Sequence, residues 1–306
     1  TPVTDGDAGG AADARALLGD EFLRRLERLA LRTRRVVGGS GGRPGQRRTP
    51  AADFVDHRAY TPGDDQRHID WPAVARHDEV FVKVGRAPQA AHVHLVLDVS
   101  PSMTACAGKR RMSLQLTAAL GWLSLVHGDR VSLLPFPEAA TATRWGPASG
   151  GGSGAAFLAH LTALGESASP RTELAPALGR LARRAATGGL VVVVSDLWVV
   201  DDLDVALGGL PVPPWQVMVL QVLDRTELDP ALAGELELRD AESGAAIVLE
   251  VDDGVRSAYR AALGGRLERL GALAVSHGAD HVLIPADWSL ERAVIPFLRR
   301  QSLLAG

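Results

Sequence analysis

From about residue 90 onward, the chain alternates short apolar runs with longer amphipathic stretches. The runs are rich in β-branched residues, which predicts buried strands, and the stretches between them have helical periodicity. This order favours a parallel sheet with helices on both faces, so we expect a doubly wound, mostly parallel α/β fold. The predicted strands are 92–98, 130–136, 189–195, 215–223 and 280–284, with an antiparallel edge strand at 141–145. The predicted helices are 111–127, 155–164, 173–186, 202–208, 254–277 and 288–301.

A different pattern lies between the last two predicted strands. The segment GELELRDAESGAAIVLEV, residues 234–251, alternates apolar and polar residues on either side of a Glu-Ser-Gly turn. Strict alternation around a turn is typical of a β-hairpin. We therefore expect an inserted hairpin at about 234–251.

The N-terminal part of the chain predicts a helix with one apolar face, formed by Phe22, Leu26 and Leu29. Residues 1–14 read as a flexible start, and residues 15–88 contain too few large apolar side chains for a core of their own. We expect residues 15–88 to pack as a helical and irregular segment on a sheet domain that spans 89–306.

Composition narrows the possible functions. The 306 residues carry a net charge of -3 and a pI near 6.3, which argues against nucleic acid as a partner, although residues 24–48 hold nine arginines that we interpret as a solvated linker. Cys106 is the single cysteine, which excludes an intramolecular disulfide and a cysteine-built zinc site. Only two of the 33 basic residues are lysines, a bias that we attribute to base composition.

The chain has no apolar run near the ~20 residues that a membrane helix needs, and its start has no signal-peptide pattern. We therefore expect a cytoplasmic protein that does not insert into membranes.

Oxygen-bearing side chains follow two of the predicted strands. Asp98, Ser100 and Ser102 alternate after the first strand, and Asp196 ends the strand at 189–195. Thr172 opens a helix just before that second strand. If the two strands are neighbours, their carboxyl ends bring these side chains to one edge of the sheet. Carboxylates and hydroxyls are ligands for Mg²⁺ or Mn²⁺, with Ca²⁺ less favoured, so we predict a metal site.

Other roles stay open for each of these residues taken singly. Asp98 or Ser100 could be the N-cap of a helix, Thr172 has the sequence context of an N-cap, and Asp196 could cap the segment that follows it. The hypothesis of a metal site depends on all of them occurring together.

A dense polar segment, YTPGDDQRHIDW, precedes the sheet region. Its Pro and Gly suit a type II turn, and an acidic residue can cap the short helical stretch that follows. We interpret the segment as a structural clasp with a charge network and two apolar anchors, Tyr60 and Trp71; a docking surface is the alternative. The residues concerned are Arg58, Tyr60, Pro62, Gly63, Asp64, Asp65, Arg67, Asp70 and Trp71.

Two stretches resemble known families. DVSPSM, together with Thr172 and Asp196, resembles the metal-ion-dependent adhesion site of von Willebrand factor type A domains, which have a Rossmann-like fold. The segment from DFVDHRAY to HDEVFVK, with GDRVSLLPF, VVVVSDLW and LRDAESG further on, resembles the bacterial family called domain of unknown function 58. Many members of that family begin with transmembrane helices, and this chain is similar to the shorter, soluble kind. The resemblance implies a partner as well, a MoxR-type AAA+ ATPase in a chaperone or activation system.

These observations favour a binding protein without catalysis, whose ion would take an acidic side chain from a partner. The rival is a phosphoaspartyl-type hydrolase with Asp98 as nucleophile, but such chemistry needs a second acid two residues on, where this chain has Ser100. A scaffold with a vestigial metal site is a third possibility.

Overall fold

The computed structural model describes residues 91–137, 143–164, 174–185, 188–198, 200–210, 214–240 and 245–290, and in addition 21, 22, 24, 26, 54–60, 69–71, 74, 80–85 and 212. The chain divides into two units, residues 33–90 and the remainder, and each is described by itself. The predicted packing of residues 15–88 on the sheet domain stays a prediction for the part that lies in the smaller unit.

The smaller unit contains an antiparallel strand pair, β1 (Phe54–Ala59) and β2 (Phe81–Gly85). Beyond the strands, Tyr60 N donates to Val80 O at 2.7 Å and Asp70 N to Phe81 O at 2.9 Å. Tyr60 is half-buried and Asp70 is buried.

The side chain of Trp71, for which we predicted a role as an apolar anchor, is 63% exposed. Trp71 lies on a helical turn directly after buried Asp70, and successive residues of such a turn point in directions about 100° apart. Of the other clasp residues, Arg58 has only its backbone described, and the rest lie outside the described residues, namely Pro62, Gly63, Asp64, Asp65 and Arg67.

The larger unit alternates strands and helices. Its strands are β3 (His92–Asp98), β4 (Arg130–Phe136), β5 (Trp145–Ser149), β6 (Gly189–Ser195), β7 (Trp215–Leu223), β8 (Gly234–Arg239), β9 (Ala246–Val251) and β10 (Asp280–Pro285). Its helices are α1 (Pro101–Ala105), α2 (Ala107–His127), α3 (Gly154–Leu164), α4 (Leu174–Arg184), α5 (Val200–Gly208), α6 (Arg225–Leu228) and α7 (Asp253–Ser276). Among the described residues, no helix has the length and apolar character needed to cross a membrane.

In the described part of the chain, six strands form the central sheet in the order β10-β7-β6-β3-β4-β5, and all pairs are parallel except β4 with β5. The predicted α/β fold with a mostly parallel sheet is confirmed. The five parallel strands lie where the apolar runs predicted them, because a strand buried on both faces needs a continuous apolar sequence. The hairpin is confirmed too, as β8 pairs with β9 in a separate antiparallel sheet.

Apolar side chains fill two clusters, one on each face of the sheet. Successive residues of β3 separate between them, with Leu95 and Leu97 in one cluster and Val96 in the other. Helices α2 and α3 cover the first cluster, and α4, α5 and α7 cover the second. Of the predicted N-terminal apolar face, Leu26 lies in the first cluster and Phe22 packs against it, whereas Leu29 lies outside the described residues.

The edge strand was predicted at 141–145, but it lies at Trp145–Ser149. The antiparallel strand begins at Trp145 instead of ending there, and residues 143 and 144 are not in a strand. Two features decide the position. The Trp145 ring lies 5.2 Å from that of Phe157, and Pro147, which a central strand would exclude, is tolerated at a sheet edge. The predicted helix at 288–301 lies mostly outside the described residues.

Candidate functional site

The candidate site lies where the strand order of the sheet reverses. From β3 the chain continues to β4 on one side and later to β6 on the other, so the loops after β3 and β6 diverge above the sheet. Such a switch point is where open α/β sheets bind ligands. Asp98 ends β3 and Asp196 directly follows β6, and both carboxylates are buried.

The turn after β3 is organised by Asp98. Its Oδ1 accepts a hydrogen bond from Ser100 N at 2.9 Å, an Asx-type turn. Helix α1 then starts at Pro101, a residue suited to the first helical position. Ser100 holds the N-cap position of α1 but makes no side-chain capping hydrogen bond; its Oγ lies 3.0 Å from Ser102 Oγ. The two hydroxyls therefore lie side by side next to Asp98, as a metal site requires.

The second oxygen of Asp98 is held by a residue that sequence reasoning missed. Ser195 Oγ donates to Asp98 Oδ2 at 2.5 Å and accepts from Leu197 N at 3.0 Å. Leu197 has a φ of 54°, a left-handed conformation that is unusual for a residue other than glycine. Backbone strain of this kind clusters at functional sites. It lies here one residue after Asp196.

The two buried carboxylates repel each other. Burial, together with the neighbouring charge of Asp196, raises the pKa of Asp98 from 3.8 to about 7, despite the hydrogen bonds from Ser195 and Ser100 that favour the ionised form. A positive charge beside both groups would relieve this repulsion.

One positive charge is built into the site, on a residue that sequence reasoning also missed. Lys109 of α2 is 2% exposed, and its Nζ lies 2.9 Å from Asp196 Oδ2 and 2.7 Å from Glu227 Oε1. Burial alone would lower the pKa of Lys109, but the carboxylates of Asp196 and Glu227 more than offset this and raise it.

Glu227 belongs to the first turn of α6, where it forms a capping box with Asp224. Its Oε2 accepts from Asp224 N at 2.7 Å, and its backbone carbonyl accepts from the Tyr259 hydroxyl of α7 at 2.7 Å. Cys106 Sγ donates to Asp224 Oδ2 at 3.3 Å. Lys109 thus connects the sheet edge to the helices that flank the hairpin.

Of the five predicted ligands, the structure brings together Asp98, Ser100, Ser102 and Asp196, and Thr172 lies outside the described residues. No group of three or more His, Cys, Asp or Glu side chains suited to a metal occurs in the described part of the chain. The predicted set contains only two carboxylates, and its other oxygens are hydroxyls. Carboxylate and hydroxyl oxygens of this kind fit a hard cation such as Mg²⁺.

Comparison with known proteins identifies relatives over most of the chain. Residues 56–266 match the family described as Protein of unknown function DUF58. Uncharacterized protein Rv1480 of Mycobacterium tuberculosis and Uncharacterized protein Mb1516 of Mycobacterium bovis are each 28% identical to the chain over 273 residues, which is 84% of this chain and 82% of theirs.

Two solved structures share a weaker likeness. Conserved hypothetical protein BatB from Bacteroides thetaiotaomicron covers 71% of this chain and 100% of its own, at 16% identity and a TM-score of 0.39. An aerotolerance-related membrane protein from Bacteroides fragilis covers 69% of this chain and 100% of its own, at 18% identity and a TM-score of 0.37.

Proposed function

We propose that this chain, which belongs to the family described as Protein of unknown function DUF58, is a non-catalytic adaptor that binds a partner protein through a divalent cation. The observation that carries the proposal is the pair of buried carboxylates, Asp98 and Asp196, beside two adjacent hydroxyls at the switch point of the sheet. The resemblance of these residues to the adhesion site of von Willebrand factor type A domains supports the same conclusion.

The residues that would hold the cation are Asp98, Ser100, Ser102 and Asp196, with Thr172 as the remaining predicted ligand. Mg²⁺ or Mn²⁺ suits a small set of oxygen ligands better than Ca²⁺, which takes six to eight. When bound, the ion would supply a positive charge to which a carboxylate of another protein can bind. Ser195 and Ser100 N fix the Asp98 carboxylate, and Lys109 fixes that of Asp196, so the site is ordered before a ligand arrives.

The arrangement disfavours hydrolysis by way of Asp98. Both oxygens of this carboxylate accept hydrogen bonds. Such hydrolysis also needs an acid two residues after Asp98 to protonate the leaving group, and this chain has Ser100 there. Asp196 is engaged by Lys109, whose Nζ lies 2.9 Å from its Oδ2. The neighbours of Asp98 serve to position it and do not serve proton transfer.

On the basis of the family resemblance, we propose that the partner is a MoxR-like AAA+ ATPase or a client protein that offers an acidic side chain. We propose that the two proteins act together in the cytoplasm, in a chaperone or activation system. A vestigial site is the competing proposal, and a metal titration separates the two.

The first test measures metal binding by calorimetry. The wild-type chain should bind one Mg²⁺ or Mn²⁺, and Asp98→Asn should abolish that binding, because the variant removes one of the two anionic ligands. Asp129→Asn is the matched control: Asp129 is also partly buried, but it lies at the opposite end of the sheet, where it accepts from Ala91 N. Unchanged affinity in Asp98→Asn would refute the site.

The second test measures association with a MoxR-like ATPase in Mg²⁺ and in EDTA. Association should require the ion and weaken in Ser100→Ala, while Ser132→Ala, which removes a buried hydroxyl that contacts His92, should leave it unchanged. Undiminished binding in EDTA would instead move the interface elsewhere, to the charged segment that contains Arg58, Asp65 and Arg67.

A further inference from the structure

Lys109 occupies an unusual position for a lysine, since its ammonium group is buried between two carboxylates. It shares a 2.9 Å ion pair with Asp196, in which both side chains are 2% exposed, and a 2.7 Å pair with Glu227, which is 25% exposed. Neither interaction is needed to explain the folding of α2, whose other buried side chains are mostly apolar.

We propose that Lys109 determines the specificity of the candidate site for acidic partners, by neutralising Asp196 so that a bound divalent cation retains positive charge toward an incoming carboxylate. This inference rests on the proposed function and adds to it the residue that sets the charge of the site.

Both side chains of the Asp196–Lys109 pair are buried. Charges that are buried and in direct contact interact with little screening by water, so at short range the pair is close to neutral. Of the two candidate carboxylate ligands, only Asp98 then brings an unshared negative charge. Arg266, whose Nη2 donates to Leu197 O at 2.7 Å, is a second cation near Asp196 and acts in the same direction.

Glu227 reduces the effect of Lys109 without cancelling it. Its side chain is 25% exposed, against 2% for Asp196, so water screens the charge of Glu227 more than that of Asp196. Lys109 is therefore shared unequally between a buried acid at the site and a partly hydrated acid outside it.

Two opposite effects on binding follow from this geometry. Without Lys109, both carboxylates would bear full charge, so the site should hold a divalent cation more tightly and attract an external carboxylate less. If the charge of Lys109 acted on Asp196 alone, the divalent cation should bind more weakly and the external carboxylate more strongly. A lysine with only a structural role would not change the two affinities in opposite directions.

The test uses the full chain, Mn²⁺ as the metal probe and acetate as the carboxylate probe. Mn²⁺ affinity is measured by calorimetry, and acetate is titrated into the Mn²⁺-loaded protein while the electron paramagnetic resonance spectrum of Mn²⁺ reports the change of ligand. Lys109→Gln should bind Mn²⁺ at least about tenfold more tightly and acetate at least about tenfold more weakly than wild type.

Glu227→Gln is the second variant, with the opposite prediction. Glutamine at this position still completes a capping box, so α6 should be retained. The variant removes one of the two anions that share Lys109, so the ammonium charge acts more fully on Asp196. Mn²⁺ should therefore bind at least about threefold more weakly than in wild type, and acetate should bind more tightly.

The results separate the two proposals. Wild-type protein that binds no Mn²⁺ refutes the proposed function and the inference together. Mn²⁺ binding that is normal in wild type, with both affinities unchanged or moved in the same direction in the variants, overturns only the role of Lys109. If Lys109→Gln does not fold, the result for Glu227→Gln decides.

Discussion

Replacing Asp98 by asparagine should make the metal-free protein more stable at neutral and basic pH. Asparagine has nearly the same shape, and its oxygen can still accept from Ser100 N. What changes is the charge, because the folded chain holds the Asp98 carboxylate buried beside Asp196. A stabilising substitution at a candidate ligand is the expected result where a site is shaped for binding at the expense of stability.

The size of the gain follows from the pKa. Asp98 has a pKa of about 7 in the fold against an ordinary value of 3.8. At about 1.4 kcal/mol per pKa unit, ionised Asp98 costs the folded state about 4 kcal/mol above pH 7. The substitution weakens the hydrogen bond from Ser195, a loss of about 1–2 kcal/mol. The net gain should be about 2–3 kcal/mol.

The sign of the pH dependence is fixed by the direction of the pKa shift. The folded chain keeps the Asp98 proton at pH values where the unfolded chain has released it, so stability falls as the pH rises from 3.8 toward 7. The advantage of Asp98→Asn should therefore be full above pH 7 and should have disappeared by about pH 5.

The assay is urea unfolding of both proteins in EDTA, at about pH 8 and about pH 5. Asp280→Asn, an exposed carboxylate at the start of β10, is the control and should change the free energy of unfolding by less than about 0.5 kcal/mol. Addition of Mg²⁺ should then stabilise the wild type and leave Asp98→Asn unchanged. If Asp98→Asn is instead less stable than wild type at pH 8, the ionised carboxylate of Asp98 does not destabilise the folded state and the reasoning is refuted.

Two further predictions concern catalysis and the N-terminal helix. Purified protein should not hydrolyse ATP or phosphomonoesters, since no proton donor accompanies Asp98; turnover that survives repurification and disappears in Asp98→Asn would contradict this. Leu26→Ala should lower the free energy of unfolding by about 2–5 kcal/mol because this side chain is 3% exposed in the core, while Ile247→Ala in the hairpin, at 62% exposed, should cost less than about 0.5 kcal/mol. Equal losses from the two would argue against docking of the helix.

The sequence was sufficient where a signal is continuous along the chain. The run Val191–Val194 is fully buried in β6, and its lack of polar residues both predicts a central strand and explains it. The positions of Asp98 and Asp196 followed from the same reasoning, because the end of a buried strand is visible as the end of an apolar run. The predicted position of β5 was wrong because the sequence WGPAS has low strand propensity. Packing of Trp145 on Phe157 decides the position of this strand instead.

The partners of the site could not be found in this way. Lys109 and Glu227 are separated by 118 residues, and no local periodicity connects them. Ser195 lies inside an apolar run, where a serine is easily taken for a tolerated polar residue. Its contact with Asp98 depends on the register of β3 and β6, in which Leu97 pairs with Val194 and so brings the next two residues together.

A compositional signal for Lys109 was nevertheless present. Only two lysines occur among 33 basic residues, so each marks a position where arginine was not used. The site gives a physical reason at Lys109. A guanidinium is planar and suits two parallel hydrogen bonds to one carboxylate, whereas a compact ammonium can donate to single oxygens of two acids on different elements. Asp196 and Glu227 each offer one such oxygen, at 2.9 and 2.7 Å. Base composition accounts for the abundance of arginine, but at this position the geometry of the two acids favours the more compact cation.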